Sequence, residues 1–229
     1  MAPPDRTRRS RHPGPTATRS KLCGLRAGPT WWAGHPHACA PPAGYGYGAS
    51  PGQVAGAPGG GDERAVPPDH PESNYGMARE TLLAHVSIPT GNVHRIRGEE
   101  GARAAARDYE DVLRAFFGAA PRLDLGLLGM GADGHAASLF PGGRGLDDPS
   151  RWVFPAVPPA PGVERITLTL RALAAASRVV FLVAGASKAP ALARVLGGGP
   201  DAAALPAVRV HPSAGSVLWL VDRAAALRT

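Results

Sequence analysis

Cysteine is scarce, two in 229 residues, too few for a disulfide framework. Lysine is scarcer than its charge suggests: Lys21 and Lys188 are the two lysines, and the other cations are arginines. Aromatic residues make up 6% of the chain. No run of 18 apolar residues occurs, so no segment reads as a transmembrane helix. No Gly-Lys-Ser/Thr follows a glycine loop, which removes the P-loop reading. What is present is 44% hydrophobic residues, enough for a packed core. With these absences, we expect no membrane partner and a cytoplasmic location.

The formal net charge is +7, which taken globally points to an acidic macromolecule. The charge is not global. Residues 1–60 carry Arg6, Arg8, Arg9, Arg11, Arg19, Lys21 and Arg26 against Asp5 alone. That leaves 18 of the 25 bases and 17 of the 18 acids for residues 61–229. The first sixty residues also contain 11 Gly and 10 Pro, and of Val, Ile, Leu, Met and Phe only Met1, Leu22, Leu25 and Val54. Such a segment cannot bury enough apolar area to offset its ordering entropy, so residues 1–60 are expected to be an atypical, disordered basic segment. Arg8-Arg9 lacks the apolar stretch of an export signal. Cys23, His35, His37 and Cys39 match no usual zinc spacing, so no metal is expected. The arginines precede Trp31, Trp32, Tyr45 and Tyr47 instead of interleaving with them, so no nucleic-acid partner is expected.

From Gly61 on, the pattern becomes regular. Asn74 can cap a helix with Met77, Leu82 and Leu83 on its apolar side. Val93–Ile96 reads as a short strand. Residues 99–117 read as a helix with Tyr109, Val112, Leu113, Phe116 and Phe117 inward, stopped by Gly118 and Pro121. Leu123–Leu128, Arg165–Leu170, Val179–Val183 and Val217–Val221 read as strands. Helices are expected near Leu173–Ala176 and from Ser187 to Leu196. The alternation predicts an α/β fold with a mainly parallel, Rossmann-like sheet and flanking helices.

Gly129-Met130-Gly131-Ala132-Asp133-Gly134 is a literal G-x-G-x-x-G after a strand. A dinucleotide site would need a long helix next, but Pro141-Gly142-Gly143 cuts it short. Glycines at the carboxyl edge of a parallel strand can instead present backbone N–H groups to an anion or oxyanion. His135 follows Asp133 closely, and a histidine beside a carboxylate can act as base and then as acid near neutral pH. A histidine merely capping a short helix is the competing reading.

The wider run Leu128-Gly129-Met130-Gly131-Ala132-Asp133-Gly134-His135-Ala136-Ala137-Ser138-Leu139-Phe140-Pro141-Gly142 resembles the signature of 6-phosphogluconolactonases. Gly61-Asp62-Glu63-Arg64-Ala65-Val66-Pro67, then Asp69-His70-Pro71-Glu72-Ser73-Asn74-Tyr75, resemble a second motif. Arg165–Leu170 and Gly185-Ala186-Ser187-Lys188 are similar to two more, so the resemblance spans residues 61–229. It implies a fold shared with glucosamine-6-phosphate deaminases, and hydrolysis of 6-phospho-glucono-1,5-lactone in the oxidative pentose phosphate pathway. The partner would be a small phosphorylated sugar lactone, with no cofactor and no metal. By resemblance, His135 would be the general base and Asp133 its orienting group. Asp62, Arg64, Gly129, Gly131, Gly134, Arg165 and Lys188 would bind substrate. Against these roles stand an Arg64 salt bridge to Asp62 or Glu63, and simple solvation of Arg165 and Lys188. Ser138 is a conceivable nucleophile without the strand-to-helix elbow such a serine needs. A glucosamine-6-phosphate deaminase is the alternative, but Ser138-Leu139-Phe140-Pro141 and Arg64 both resemble the lactonase pattern.

Two departures stand out. Lactonases begin with a strand and helix carrying a Gly-Gly-Ser-Thr-Pro-like phosphate loop, and the Gly-Asp-Glu-Arg motif follows a strand rich in Val and aromatics. Here Val54–Gly61 reads Val-Ala-Gly-Ala-Pro-Gly-Gly-Gly, which cannot form a central strand. Arg171 also replaces a frequent proline. The first strand–helix unit is therefore expected to be missing, residues 1–60 not to be the family's own N-terminus, and the chain to be marginally stable and weakly active or inactive.

Overall fold

The computed structural model describes residues 23–24, 59–199 and 201–226. Apart from Cys23–Gly24 and Gly59–Gly60, the expectation of disorder over residues 1–60, and the histidines at 35 and 37, lie outside the described residues. Among the described residues, no helix is long and apolar enough to cross a membrane.

Two sheets form the frame. The first is parallel, with β3 (Gly126–Gly129), β6 (Arg178–Val183) and β7 (Ser216–Val221) side by side. The two-residue β1 (Cys23–Gly24) pairs parallel to the end of β7. The second sheet is antiparallel, in the order β2 (Asp62–Arg64), β5 (Arg165–Leu168), β4 (Val153–Ala156). The parallel sheet follows the apolar runs expected to form it. The antiparallel sheet departs from a single mainly parallel one; its strand β4 carries Pro155 and lies at the edge. A proline has no N–H for the ladder, so it is tolerated on an edge strand, which β4 is.

One face of the parallel sheet packs Leu128, Val179, Phe181, Val183, Trp219 and Val221 into the core. Phe181 and Trp219 stack at 4.0 Å with their rings 6° apart. The opposite face carries Leu127 and Leu182, 60% and 53% exposed.

The helices differ in detail from the expectation. Helix α1 (Asn74–Thr81) is capped by Ser73, whose Oγ accepts the Gly76 N–H at 3.0 Å. Met77 and Leu82 lie exposed, since the helix packs through Gly76. Val93–Ile96 is not a strand; His94 alone bridges to Gly59. Helix α2 (Ala102–Phe117) buries Ala102, Ala105, Ala106, Tyr109 and Leu113, a stripe at helical spacing. Phe116 faces outward, against the edges of His94 and Phe117. Gly118 ends α2 at φ 75°, a left-handed conformation natural to glycine. Helix α3 (Leu170–Ala174) is capped by Thr169 and carries Arg171, whose guanidinium donates to the Pro149 carbonyl. Helix α4 (Ala189–Gly197) follows a 3-10 turn over Ala186–Lys188. Short helices α5 (Pro206–Arg209) and α6 (Arg223–Ala226) complete the described chain.

Candidate active site

The loop after β3 folds back on itself at the carboxyl edge of the parallel sheet. Gly131 N–H donates to the His135 carbonyl at 2.9 Å, and Gly134 N–H to the Gly131 carbonyl at 3.1 Å. Gly134 sits at φ 83°, where a side chain would be strained. Gly131 is demanded by space: a Cβ there would lie 2.1 Å from His135 Nδ1 and 2.4 Å from Asp133 Oδ1. At Gly129 a Cβ would meet nothing within 4 Å, so packing does not require that glycine. Ala137 adopts φ 50°, a left-handed value that costs free energy in a non-glycine residue. The strain sits two residues beyond His135.

This geometry joins Asp133 and His135. Asp133 Oδ1 accepts the His135 backbone N–H at 3.1 Å and lies 2.7 Å from His135 Nδ1. Burial alone would raise the Asp133 carboxyl. The His135 N–H, the imidazole charge and the ring hydrogen bond outweigh it and hold the carboxyl below its ordinary range. An ionised Asp133 accepts only, so it selects the tautomer with the proton on Nδ1 and leaves a lone pair on Nε2. The imidazole side chain is 30% exposed, and the Phe140 ring meets it edge-on at 5.0 Å.

A second cluster lies on the antiparallel sheet. The pairing sets Asp62 opposite Thr167 and Arg64 opposite Arg165, so all four share one face. Burial pushes the Asp62 carboxyl up, against the Ser138 hydrogen bond and the charges of Arg64 and Arg165, and Glu63 pushes it further. Burial, then the like charge of Arg64, holds Arg165 below the usual guanidinium value, although Asp62 and Glu72 oppose the shift. Arg165 Nε is buried without a hydrogen-bond partner. A buried polar atom left without a partner beside a second cation is uncommon in a fold and calls for an explanation.

Residues that the sequence did not assign to substrate binding hold the site in shape. Asn74 Nδ2 donates to the Asp62 carbonyl at 2.9 Å and to Asp62 Oδ1 at 3.2 Å, while its Oδ1 accepts from Arg64. Arg64 also donates to the Glu72 carbonyl at 3.2 Å, so its guanidinium is not spent on Asp62 or Glu63. Glu63 is buried and accepts from the N–H groups of Arg64, Asn74 and Tyr75 and from Ser73 Oγ. Ser138 is buried, and its Oγ donates to Asp62 Oδ2 at 2.7 Å. A hydroxyl committed in that way is a strut between the two clusters, not a free nucleophile. The signal for these residues was their place inside the quoted motifs; their partners depend on the sheet pairing, which the sequence does not display.

Lys188 ends the 3-10 turn after β6, the strand beside β3. It is half-buried; its backbone N–H donates to the Gly185 carbonyl at 3.0 Å, and its ammonium pairs with no acid among the described residues. Nearby, Gly185 N–H donates to both Asp222 carboxylate oxygens, at 3.1 and 3.0 Å. The structure thus joins Asp62, Arg64 and Arg165, links them through Ser138 to the Asp133–His135 loop, and sets Lys188 on the same sheet edge. The Gly131 and Gly134 amides, expected as oxyanion donors, are instead consumed within the loop.

The family described as glucosamine-6-phosphate isomerases/6-phosphogluconolactonase matches residues 60–219. A 6-phosphogluconolactonase of Nostoc is 45% identical over 170 residues, covering 72% of this chain and 70% of that protein. A 6-phosphogluconolactonase of Rattus norvegicus is 44% identical over 168 residues, covering 72% of this chain and 65% of its own length. The crystal structure of the Thermotoga maritima 6-phosphogluconolactonase superposes with a TM-score of 0.63 at 34% identity, over 72% of each chain. A monomeric glucosamine-6-phosphate deaminase shares the fold with a TM-score of 0.62 at 22% identity, over 75% of this chain and 74% of that one. The ordered motifs, the two sheets and these likenesses agree: the chain belongs to the glucosamine-6-phosphate isomerase/6-phosphogluconolactonase family.

Proposed function

We propose that the chain hydrolyses 6-phospho-glucono-1,5-lactone to 6-phosphogluconate in the cytoplasm. The observation that carries the reading is the 2.7 Å contact of His135 Nδ1 with Asp133, which leaves Nε2 as a base. In this reading Nε2 removes a proton from water as the water attacks the lactone carbonyl. Asp133 stabilises the imidazolium that forms. The charge developing on the carbonyl oxygen is met by Arg64 or Arg165, two cations that share one sheet face with a single carboxylate, Asp62. The imidazolium then returns its proton to the departing ring oxygen, and the open acid is released. Lys188 holds the phosphate dianion, a task that suits an unpaired ammonium. Asp62 and Asn74 position Arg64. The lactone carbonyl is already an activated acyl group and its ring oxygen leaves protonated, so water with one base suffices and no covalent enzyme intermediate is required.

A weakly active form of the same enzyme is the second reading. The exposure of Leu127 and Leu182 favours it, because a parallel sheet is ordinarily covered on both faces.

The test offers the purified chain both substrates of the family. Faster acid release from the lactone than in buffer alone, with no ammonia from glucosamine 6-phosphate, supports lactone hydrolysis. Ammonia release, or lactone decay no faster than in buffer, overturns it.

A further inference from the structure

A cavity of about 540 Å³ opens beside the site, between α2, β4 and the loop over residues 140–151. Its lining is strongly biased in charge. Arg103, Arg107, Arg144 and Arg151 face Asp148 and Glu164. Four other described arginines find acids: Arg95 pairs with Glu99, Arg97 with Asp108, Arg114 with Glu110 and Arg209 with Asp147. Around the cavity the guanidinium groups of Arg103, Arg107 and Arg144 are exposed and pair with no acid among the described residues. The Arg151 guanidinium reaches Asp148 at 3.9 Å, and that carboxylate also accepts from the Ser150 N–H and Oγ at 2.8 and 2.7 Å and from the Arg151 N–H at 3.2 Å.

Arg103 and Arg107 are one turn apart on α2, a like-charge spacing that weakens a helix. Asp111 stands a turn beyond Arg107 and could neutralise it, yet the two do not pair. Arginines left unpaired around a concavity are what a phosphoryl group needs, since their planar forks match its oxygens. Phe140 and Phe154 supply an apolar wall, and the volume exceeds that of a bare ion and falls in the usual range for small-ligand pockets.

We propose that this cavity is a second anion-binding site, separate from Lys188, that takes a small phosphate monoester. It touches the first site through Ser138 and Phe140, which line the cavity while bonding Asp62 and abutting His135. The proposal does not depend on the lactone reaction, because binding alone tests it.

The experiment is isothermal titration of the full chain with inorganic phosphate and, separately, with 6-phosphogluconate. The variants are Arg103→Gln/Arg107→Gln, Arg144→Gln on a different element, and Lys188→Gln. The three arginines are exposed and Lys188 is half-buried, and the folding of every variant is checked by thermal melting. A site that persists in Lys188→Gln but weakens at least about tenfold in both arginine variants supports the proposal. Melting of the anion-free Arg103→Gln/Arg107→Gln variant at a higher temperature than the wild type supports it further, because the repulsion is relieved. Tighter binding of the ester than of inorganic phosphate identifies a sugar phosphate as the occupant, and equal binding identifies free phosphate. Loss of all binding in Lys188→Gln, or unchanged binding in the arginine variants, overturns it.

Discussion

Replacing Gly131 with alanine should disable the dyad without touching either of its members. The new Cβ would fall 2.1 Å from His135 Nδ1 and 2.4 Å from Asp133 Oδ1, where an ordinary contact begins near 3.4 Å. The imidazole must retreat by more than an ångström, and the 2.7 Å hydrogen bond to Asp133 cannot survive that shift. A displacement of about 1 Å in a catalytic group can cost ~10²-fold in rate, and complete loss of a general base costs about 10²- to 10⁴-fold. Gly131→Ala should therefore lower kcat for the lactone by roughly 10²-fold or more. Stability should change by less than about 2 kcal/mol, since the clash is with two half-exposed side chains that can swing away. The assay is initial-rate acid release, with thermal melting in parallel. Gly129→Ala is the contrast: its Cβ meets nothing within 4 Å, so the dyad should stay intact. A folded Gly131→Ala protein with wild-type kcat would refute the reasoning.

Three further outcomes follow from the same geometry. Folding raises the Asp62 carboxyl, so its contribution to stability is complete below the unfolded value of about 3.9 and is lost as pH rises through the native value. Asp62→Asn should thus melt higher than the wild type at neutral pH, with the gap closing below about pH 4, while lactone turnover falls; a lower melting temperature at neutral pH would count against it. Glu63→Gln replaces one acceptor oxygen of a buried group that receives four hydrogen bonds, and should cost about 1–3 kcal/mol in urea unfolding. On β3, Leu128→Ala should cost about 2–5 kcal/mol, whereas Leu127→Thr should stay within roughly 0.5 kcal/mol, because only the first side chain is buried; similar losses would mean that the Leu127 face is covered in solution.

Local features were legible in the sequence and long-range pairings were not. The runs around Leu128, Val180 and Leu218 are apolar because they pass through the sheet, so strands could be read from them. The loop from Gly129 to His135 was legible for a related reason: its hydrogen bonds close within seven residues. Val153–Ala156 was hidden because a proline within a short segment argues against a strand, and only its edge position makes it acceptable. Val93–Ile96 misled in the opposite direction, since its aliphatic residues lie between 3-10 turns and only His94 bridges. The tie from Ser138 to Asp62 spans 76 residues, and no local pattern encodes it. Asn74 looked like a helix cap because caps and site residues draw on the same short polar side chains; the cap is its neighbour Ser73.

The most direct measurement compares the wild type with His135→Ala in lactone hydrolysis and in binding of 6-phosphogluconate. If Nε2 is the base, kcat falls about 10²- to 10⁴-fold while product affinity holds within about twofold. His135→Ala turning over the lactone at the wild-type rate would contradict the assignment.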